Sequence, residues 1–422
     1  MKQDVSFEKF KNTVLIYGAH LVAISAMRYL KQKRPDVMIL GFAVTSIKDN
    51  PQELDGLLVK EISEWPKEAN PKDVTAVIAM PKKYHEEVKK TLLEYGYTDV
   101  VCLDLYELSA LIGEERIKKM RSLGFDVRKS ENDISWLDLY IDDIHLKFPT
   151  LFYIGDEEIY ENLDRARIKS SYESFISSKG VLEKNRCGSR TGFDDGKIFM
   201  ACSEWDEKAG SGDFAPWIKP LQLGAALSER TVADITDDCG ENISALNRSF
   251  AEMTGAYWIW KNENSLKYKG LCHYRRHFVF EAEDDFCCGE ADVILTTPRY
   301  VPGGVEEMFL VETPVKKPVM EALKKSTAKL YGEDVKKKLE KYLKENFYCP
   351  NNMAVAKNEI YNSYCKFVFP ILFEMKKQDE KAVYGHEGDR HIAYAAELLT
   401  SFYFYFHKDE FKTVFRDYKM LQ

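Results

Sequence analysis

The sequence predicts an α/β protein: a parallel sheet at the front, a mostly helical connector, and a second α/β unit behind it. Three observations predict it. Short β-branched, apolar runs alternate with helical stretches from Asn12 to Leu105, and such alternation implies parallel strands with helices on both faces. A polar, Gly-containing stretch without periodicity, Lys184 to Gly192, follows much later and marks a boundary. From Lys197 onward the strand signals resume with Ile198-Phe199-Met200-Ala201-Cys202. The expected division is 1–106, 107–195 and 196–422.

Length and composition agree with this division. A chain of 422 residues predicts two to three domains, and 45% hydrophobic residues suffice for packed cores. The 60 basic and 68 acidic residues leave a net charge of -8, which argues against general nucleic-acid binding. Nine cysteines show no C-x-x-C spacing, so reduced thiols and a cytoplasmic location are expected. The N-terminal MKQDVSFEKFKN lacks an apolar core and does not read as a signal peptide. No apolar run approaches the roughly 18 residues of a membrane span.

The elements of the first unit follow in order. Thr13 to Tyr17 is a strand, Gly18-Ala19-His20 a turn, and Leu21 to Gln32 a helix. Strands are expected at Val37 to Val44, Val74 to Ala79 and Val100 to Leu103, with a helix from Tyr84 to Tyr95. The unit is Rossmann-like, but of the three glycines of a dinucleotide fingerprint only Gly18 is present. His20 and Ala23 occupy the other two positions. An imidazole at the point of closest phosphate approach obstructs a pyrophosphate. A non-catalytic scaffold or interaction module is therefore expected. The connector has helical stretches at Glu114 to Leu123 and Glu157 to Ile176.

The second unit is organised around Asp238 to Phe278. Asn242, Ser244 and Asn247 are residue types that cap helices. From Asn247, Phe250, Met253, Tyr257 and Trp258 fall at helical spacing. Trp258 and Trp260 point to different sides, so the helix is expected to be buried on more than one face. Lys269-Gly270-Leu271-Cys272 fits a buried strand that ends in His273-Tyr274-Arg275-Arg276. Two arginines after a buried strand need a partner. A diphosphate at the strand's carboxyl end is one partner, since guanidinium matches phosphate oxygens in a bidentate fork. A solvated turn or neighbouring carboxylates are the other.

This segment resembles the signature of the domain-of-unknown-function 4422 family of capsular and exopolysaccharide synthesis proteins. The matching residues are Glu241, Asn242, Ile243, Ser244 and Asn247. They continue through Glu252, Thr254, Tyr257, Trp258, Trp260, Lys261 and Asn262. Gly270, Leu271, His273 to Arg276 and Phe278 complete the set. Gln222, Gly224, Ala225 and Ala226 match an earlier motif, Asp292 a later position, and Arg390 and Glu397 a terminal one. The resemblance implies a GT-A-like glycosyltransferase with a nucleotide diphosphate sugar donor. UDP carrying galactose or galactofuranose is the donor it suggests, and a cell-surface glycan or lipid-linked glycan the acceptor. The front module is similar to that of sugar O-acyltransferases.

The site expected on that basis is as follows. Arg275 and Arg276 hold the diphosphate, with His273, Tyr274 and Arg390 beside them. Asn242, Ser244 and Asn247 line the donor pocket. Glu397 or Asp389 is the general base. No D-x-D follows the Gly270 strand, so no metal ligand is named and arginine charge is expected to replace the metal. Departures occur at Ser203-Glu204-Trp205, at Gly303-Gly304, and at Leu398 where the family has Arg. They keep a non-enzymatic recruitment module as the competing reading. The lysines between Val315 and Lys344 form a basic face. It is suited either to a membrane surface with anionic headgroups or to solvent with Glu partners.

Overall fold

The computed structural model describes residues 9–48, 50–104, 107–108, 111, 122, 126–127, 136–141, 144–149, 165–176, 181–182, 196–204, 214–278, 291–301, 303–313, 315, 317–379 and 390–420. Its contacts divide the chain into two compact units. One comprises 1–141 with 147–163, the other 142–146 with 164–422. The expected α/β class is observed in both.

The first unit is built on β1 (Thr13–Tyr17), α1 (Leu21–Lys33), β2 (Met38–Val44), β3 (Glu53–Leu54), β4 (Leu57–Glu61), β5 (Thr75–Ala79), α2 (His85–Glu94) and β6 (Asp99–Leu103). The sheet order is β3-β4-β2-β1-β5-β6, parallel except for the β3–β4 ribbon. Alternation in β1 divides the core. Val14 and Ile16 pack with Ala23, Met27 and Leu30 of α1. Leu15 and Tyr17 pack with Val88 and Leu92 of α2. Gly18 is required by its backbone, with φ of +128° and a Cβ that would meet the Ala79 carbonyl at 2.7 Å. The glycine therefore serves the β1–β5 approach.

The second unit carries β7 (Gly196–Cys202), β8 (Ile218–Gln222), β9 (Ile235–Thr236), α3 (Met253–Asn262), β10 (Tyr268–His273), β11 (Arg276–Phe278), β12 (Val293–Thr296) and α4 (Val305–Glu312). There follow α5 (Lys317–Tyr331), α6 (Glu333–Tyr342), β13 (Ala354–Lys357), α7 (Asn358–Asp379), α8 (His391–Phe406), β14 (Thr413–Arg416) and β15 (Tyr418–Met420). The sheet runs β14-β12-β13-β10-β7-β8-β9, with Val181–Leu182 beyond β14. Strand β13 alone among these seven runs antiparallel to its neighbours. Phe199, Leu221 and Leu271 face a layer of α3, α5, α7 and α8. Ile198, Met200 and Cys272 face the other side, against Trp217 and Phe278.

Several expectations need correction. The helix foreseen from Asn247 breaks at Ala251, whose φ is 45°. Asn247 Nδ2 donates to the Ala251 carbonyl and to Thr254 Oγ1, both at 3.0 Å, and so holds the break. Strand β13 starts only at Ala354, because Asn351 and Asn352 just before it are left-handed. The lysine-dense stretch is two helices parted by Gly332. The connector is mixed, since short strands at Asp126–Val127, Trp136–Ile141, Ile144–Pro149 and Val181–Leu182 accompany the helix Arg165–Ile176. The boundary stretch 184–192, Trp205 and Cys287-Cys288 lie outside the described residues. No helix among the described residues is long and apolar enough to cross a membrane.

Gly270 fixes the middle of the second sheet. It pairs with Val355 of β13, and a Cβ there would stand 2.3 Å from the Ala354 carbonyl oxygen and 2.5 Å from Val355 Cα. Both obstacles are backbone, so no rotamer change relieves them. Gly270→Val is expected to destabilise the protein by about 3 kcal/mol, at the upper end of overpacking costs, read as a lower urea midpoint. An unchanged midpoint would refute the β10–β13 register.

Candidate functional site

Strand β10 alternates its side chains between two environments. Lys269, Leu271 and His273 share the face toward the helical layer, and Gly270 and Cys272 the other. Lys269 is fully buried. Its Nζ donates to Asn362 Oδ1 at 2.8 Å and to the Glu263 and Ile259 carbonyls at 3.0 and 3.4 Å. Burial lowers its pKa to about 8. The lysine thus closes the carboxyl end of α3, where helix carbonyls lack partners.

At the other end of the strand, His273 is half-buried and Tyr274-Arg275 make the turn into β11, with His273 paired to Arg276. Tyr274 N–H donates to the Ala201 carbonyl of β7 at 3.0 Å. Arg275 is exposed and lies over the Tyr274 ring at 4.8 Å. Arg276 is half-buried. Strand β7 leads through β8 and β9 in one direction and the chain then returns to place β10 on its other side. The β7–β10 junction is therefore the topological switch point of the sheet, and the His-Tyr-Arg-Arg turn lies at its carboxyl end.

Opposite this turn is a feature that sequence reasoning missed. Asn351 and Asn352 have φ of 75° and 52° in succession. The Asn351 carbonyl accepts a hydrogen bond from His273 Nε2 at 2.7 Å. The Asn351 N–H donates to Glu397 Oε1 at 2.9 Å. Asn352 Nδ2 donates to Glu252 Oε1 at 2.7 Å and to the Ala393 carbonyl at 3.1 Å, while Thr400 Oγ1 donates to Asn352 Oδ1 at 3.0 Å. One turn therefore holds an imidazole and two carboxylates.

The charges of Glu397, Arg390, Glu252 and Arg276 all act on half-buried Tyr394, though burial is the largest reason its pKa is raised. Arg390, Tyr394 and Glu397 are spaced i, i+4, i+7 at the head of α8 and share one face. That spacing was the available signal for Tyr394. Burial is also the largest influence on His273 and lowers its pKa. Glu252 opposes that shift and Arg276 adds to it. The structure thus brings together His273, Arg276, Arg390 and Glu397 from the expected set, and adds Glu252, Tyr394, Asn351 and Asn352. Asp389 lies outside the described residues.

Asn242, Ser244 and Asn247 are placed differently. Ser244 is fully buried, donating to Asp237 Oδ1 at 2.5 Å and accepting from the Ala226 N–H at 3.1 Å. Asn242 Nδ2 donates to the Asp238 and Gly240 carbonyls, both at 3.0 Å. Tyr257 and Lys261 bind the Glu241 carboxylate at 2.9 and 2.6 Å, and Trp258 Nε1 donates to the Cys239 carbonyl at 3.0 Å. The polar atoms of this signature stitch the loop to α3. Asp237, also missed, is its hub, accepting from the Gly224 and Ala225 N–H groups at 3.0 Å each as well as from Ser244.

After β7, Glu204 Oε2 accepts from the Glu229 N–H at 3.0 Å and Arg230 donates to the Glu204 carbonyl at 3.0 Å. Gln222 clasps the same loop through Arg230 and Val232, at 2.7 Å each. Asp292 lies at the opposite end of the strands from His273. It precedes β12, close to Lys357 at the end of β13. Burial works to raise its pKa, but the Lys357 ammonium at 2.5 Å and the Lys412 N–H at 2.8 Å hold it below the usual carboxylate range. This register excludes a shared metal site for His273 and Asp292. Among the described residues no group of three or more His, Cys, Asp or Glu is placed to hold a metal ion.

Asp237→Ala leaves three donors without their acceptor at once, two of them in buried bonds. A loss on the order of 3 kcal/mol is expected, measured as a lowered denaturant midpoint. An unaltered midpoint would remove Asp237 as the hub of the loop.

A solved apo structure of WbbM, a bifunctional glycosyltransferase, is 23% identical, with a TM-score of 0.49 over 54% of this chain and 46% of that chain. RSP, a Rex-family repressor, is 13% identical with a TM-score of 0.20, over 27% of this chain and 64% of that one. A curated hydroxyethylthiazole kinase of Finegoldia magna is 27% identical over 129 residues, 29% of this chain and 47% of the kinase. The chain thus spans about half the length of the curated relative and of the first structure it matches. Residues 211–409 match the family model described as a domain of unknown function, DUF4422, so the similarity to that family is confined to this segment of the second unit.

Proposed function

We propose that the protein is a glycosyltransferase moving a hexose from a nucleotide diphosphate sugar to a cell-surface glycan or its lipid-linked precursor. The observation that carries the reading is the position of His273-Tyr274-Arg275-Arg276 at the switch point between β7 and β10. Ligands of open α/β sheets bind in the crevice outside that point. Arg276 is half-buried, and Arg275 and Arg390 are exposed. Guanidinium groups so placed suit a diphosphate, whose negative charge grows as the sugar leaves. The match to DUF4422 supports the same reading through the family's resemblance to GT-A-type enzymes. UDP is the proposed nucleotide, galactose or galactofuranose the proposed sugar, and arginine rather than a metal the proposed source of positive charge.

The acceptor side of the proposal extends to the membrane. On α6 and just beyond it, Lys337, Lys341 and Lys344 are exposed at i, i+4, i+7 spacing. Lys324, Lys329 and Lys336 are paired with glutamates. The exposed stripe is the part of the basic face suited to anionic headgroups on the cytoplasmic side of a membrane.

Calorimetry of UDP against the whole protein, with and without Mn²⁺, tests the donor site. Binding without metal is expected. The Arg275→Ala, Arg276→Ala double variant should bind at least about 10-fold more weakly, since a hydrogen bond to a charged group is worth roughly 1.5–3 kcal/mol. Binding that requires Mn²⁺ would overturn the arginine assignment. Failure to bind UDP or any other nucleoside diphosphate would overturn the transferase reading in favour of a recruitment module.

A further inference from the structure

The carboxylates that the sequence offers as general base are Glu397 and Asp389. Glu397 is already engaged through Oε1 by the Asn351 N–H, and Asp389 lies outside the described residues. His273 is arranged differently. Its Nε2 faces a backbone carbonyl, Asn351 O, at 2.7 Å. A carbonyl only accepts, so Nε2 carries the proton. In the neutral ring Nδ1 then holds the lone pair.

We infer that His273 is the general base of the transfer, accepting the acceptor's proton on Nδ1, and that Asn351 is its positioning residue. The role rests on the transferase reading above. It follows the logic of an oriented base, in which a third group fixes the tautomer and the ring plane. Here that group is a main-chain carbonyl. The carbonyl is itself fixed, because the same residue's N–H is tied to Glu397 and its φ is +75°.

The surrounding charges suit a base that begins neutral. Arg276, in the same hairpin, disfavours an imidazolium, and burial acts in the same direction. Glu252, from the head of α3, favours the imidazolium once it forms, and is held in place by Asn352 Nδ2 at 2.7 Å. Tyr394 of α8 also feels Glu252 and Arg276, together with Glu397 and Arg390 on its own helix.

The step is a direct displacement. The acceptor oxygen bonds to the anomeric carbon while its proton passes to His273 Nδ1. The bond from the anomeric carbon to the diphosphate oxygen breaks, and its electron pair leaves on the diphosphate. Glu252 then faces an imidazolium, which loses its proton to solvent before the next turnover. No metal or redox partner is needed for the balance.

The test measures UDP release from UDP-galactose and UDP-glucose, with a mixture of methyl glycosides as acceptors, beside UDP calorimetry. His273→Gln and His273→Ala should lose about 10²–10⁴-fold in kcat, the usual contribution of a positioned base. UDP affinity should change by less than about 3-fold, well below what loss of a charged contact causes. Added imidazole should restore part of the rate of His273→Ala and none of that of a folded Arg276→Ala control. In the wild type, kcat/KM should fall on the acid side at a pH below the ordinary histidine value. A wild type that turns over while His273→Gln keeps its rate, or an acid limb that persists in His273→Gln, overturns this role and leaves the transferase reading standing. A wild type that neither binds UDP nor releases it overturns both.

Discussion

The hydrogen bond from His273 to the Asn351 carbonyl is the contact on which the candidate site depends. It joins the carboxyl end of β10 to the turn that enters β13, across the centre of the sheet. Two consecutive left-handed residues that are not glycine cost on the order of 1 kcal/mol each. They persist because the turn is held from several sides. Glu397, Glu252, Thr400 and the Ala393 carbonyl all bind Asn351 or Asn352. Asparagine tolerates the left-handed region better than most residues and brings a side-chain amide that glycine lacks. At position 352 that amide has three partners. The turn is therefore paid for by the same groups it positions.

The register of β10 separates the charged residues of the second unit into two ends. Lys269 and His273 point to the same layer, four residues apart, yet do different things. Lys269 meets only neutral acceptors, and burial holds its pKa near 8. It closes a helix. His273 donates to the carbonyl of a left-handed residue and lies in the field of the Glu252 and Arg276 charges. Asp292 and Lys357 form their pair at the Lys269 end. The strand thus has one end that closes a helix and one that carries the candidate site, and the direction of a parallel sheet sets which is which.

Much of the fold was legible because it rests on local patterns. The strands of the first unit follow from β-branched runs, and their parallel order from the helices between them. The end of β10 was legible because an apolar run stops at His273-Tyr274-Arg275-Arg276. What failed was long-range. Asn242, Ser244 and Asn247 have the right chemistry to meet a sugar nucleotide, but their partners are Asp238, Asp237, Ala251 and Thr254 in the same loop and helix. Nothing in their spacing distinguishes a loop clamp from a binding wall. The break at Ala251 hides for a similar reason, since apolar periodicity crosses it undisturbed. Nothing local marks the turn at Asn351-Asn352, because its geometry is set by residues some 40 to 100 positions away, Glu397 and Glu252 among them.

Why should a site of this kind pair arginines with a neutral histidine rather than with a carboxylate alone? In the proposed transfer a nucleotide diphosphate arrives already negative, and leaves more negative at its terminal oxygen. Arginines remain charged throughout, so their attraction increases only as charge develops on the leaving oxygen. A carboxylate base beside the same crevice would repel the diphosphate in the ground state and compete for the arginines. An imidazole that is neutral before the step avoids both effects. It becomes positive only as the diphosphate gains charge, so the two developing charges attract each other in the transition state. Glu252 limits how strongly that imidazolium is destabilised by Arg276. The arrangement favours the charge distribution of the step over that of the bound substrate, which is the condition for binding energy to appear as rate.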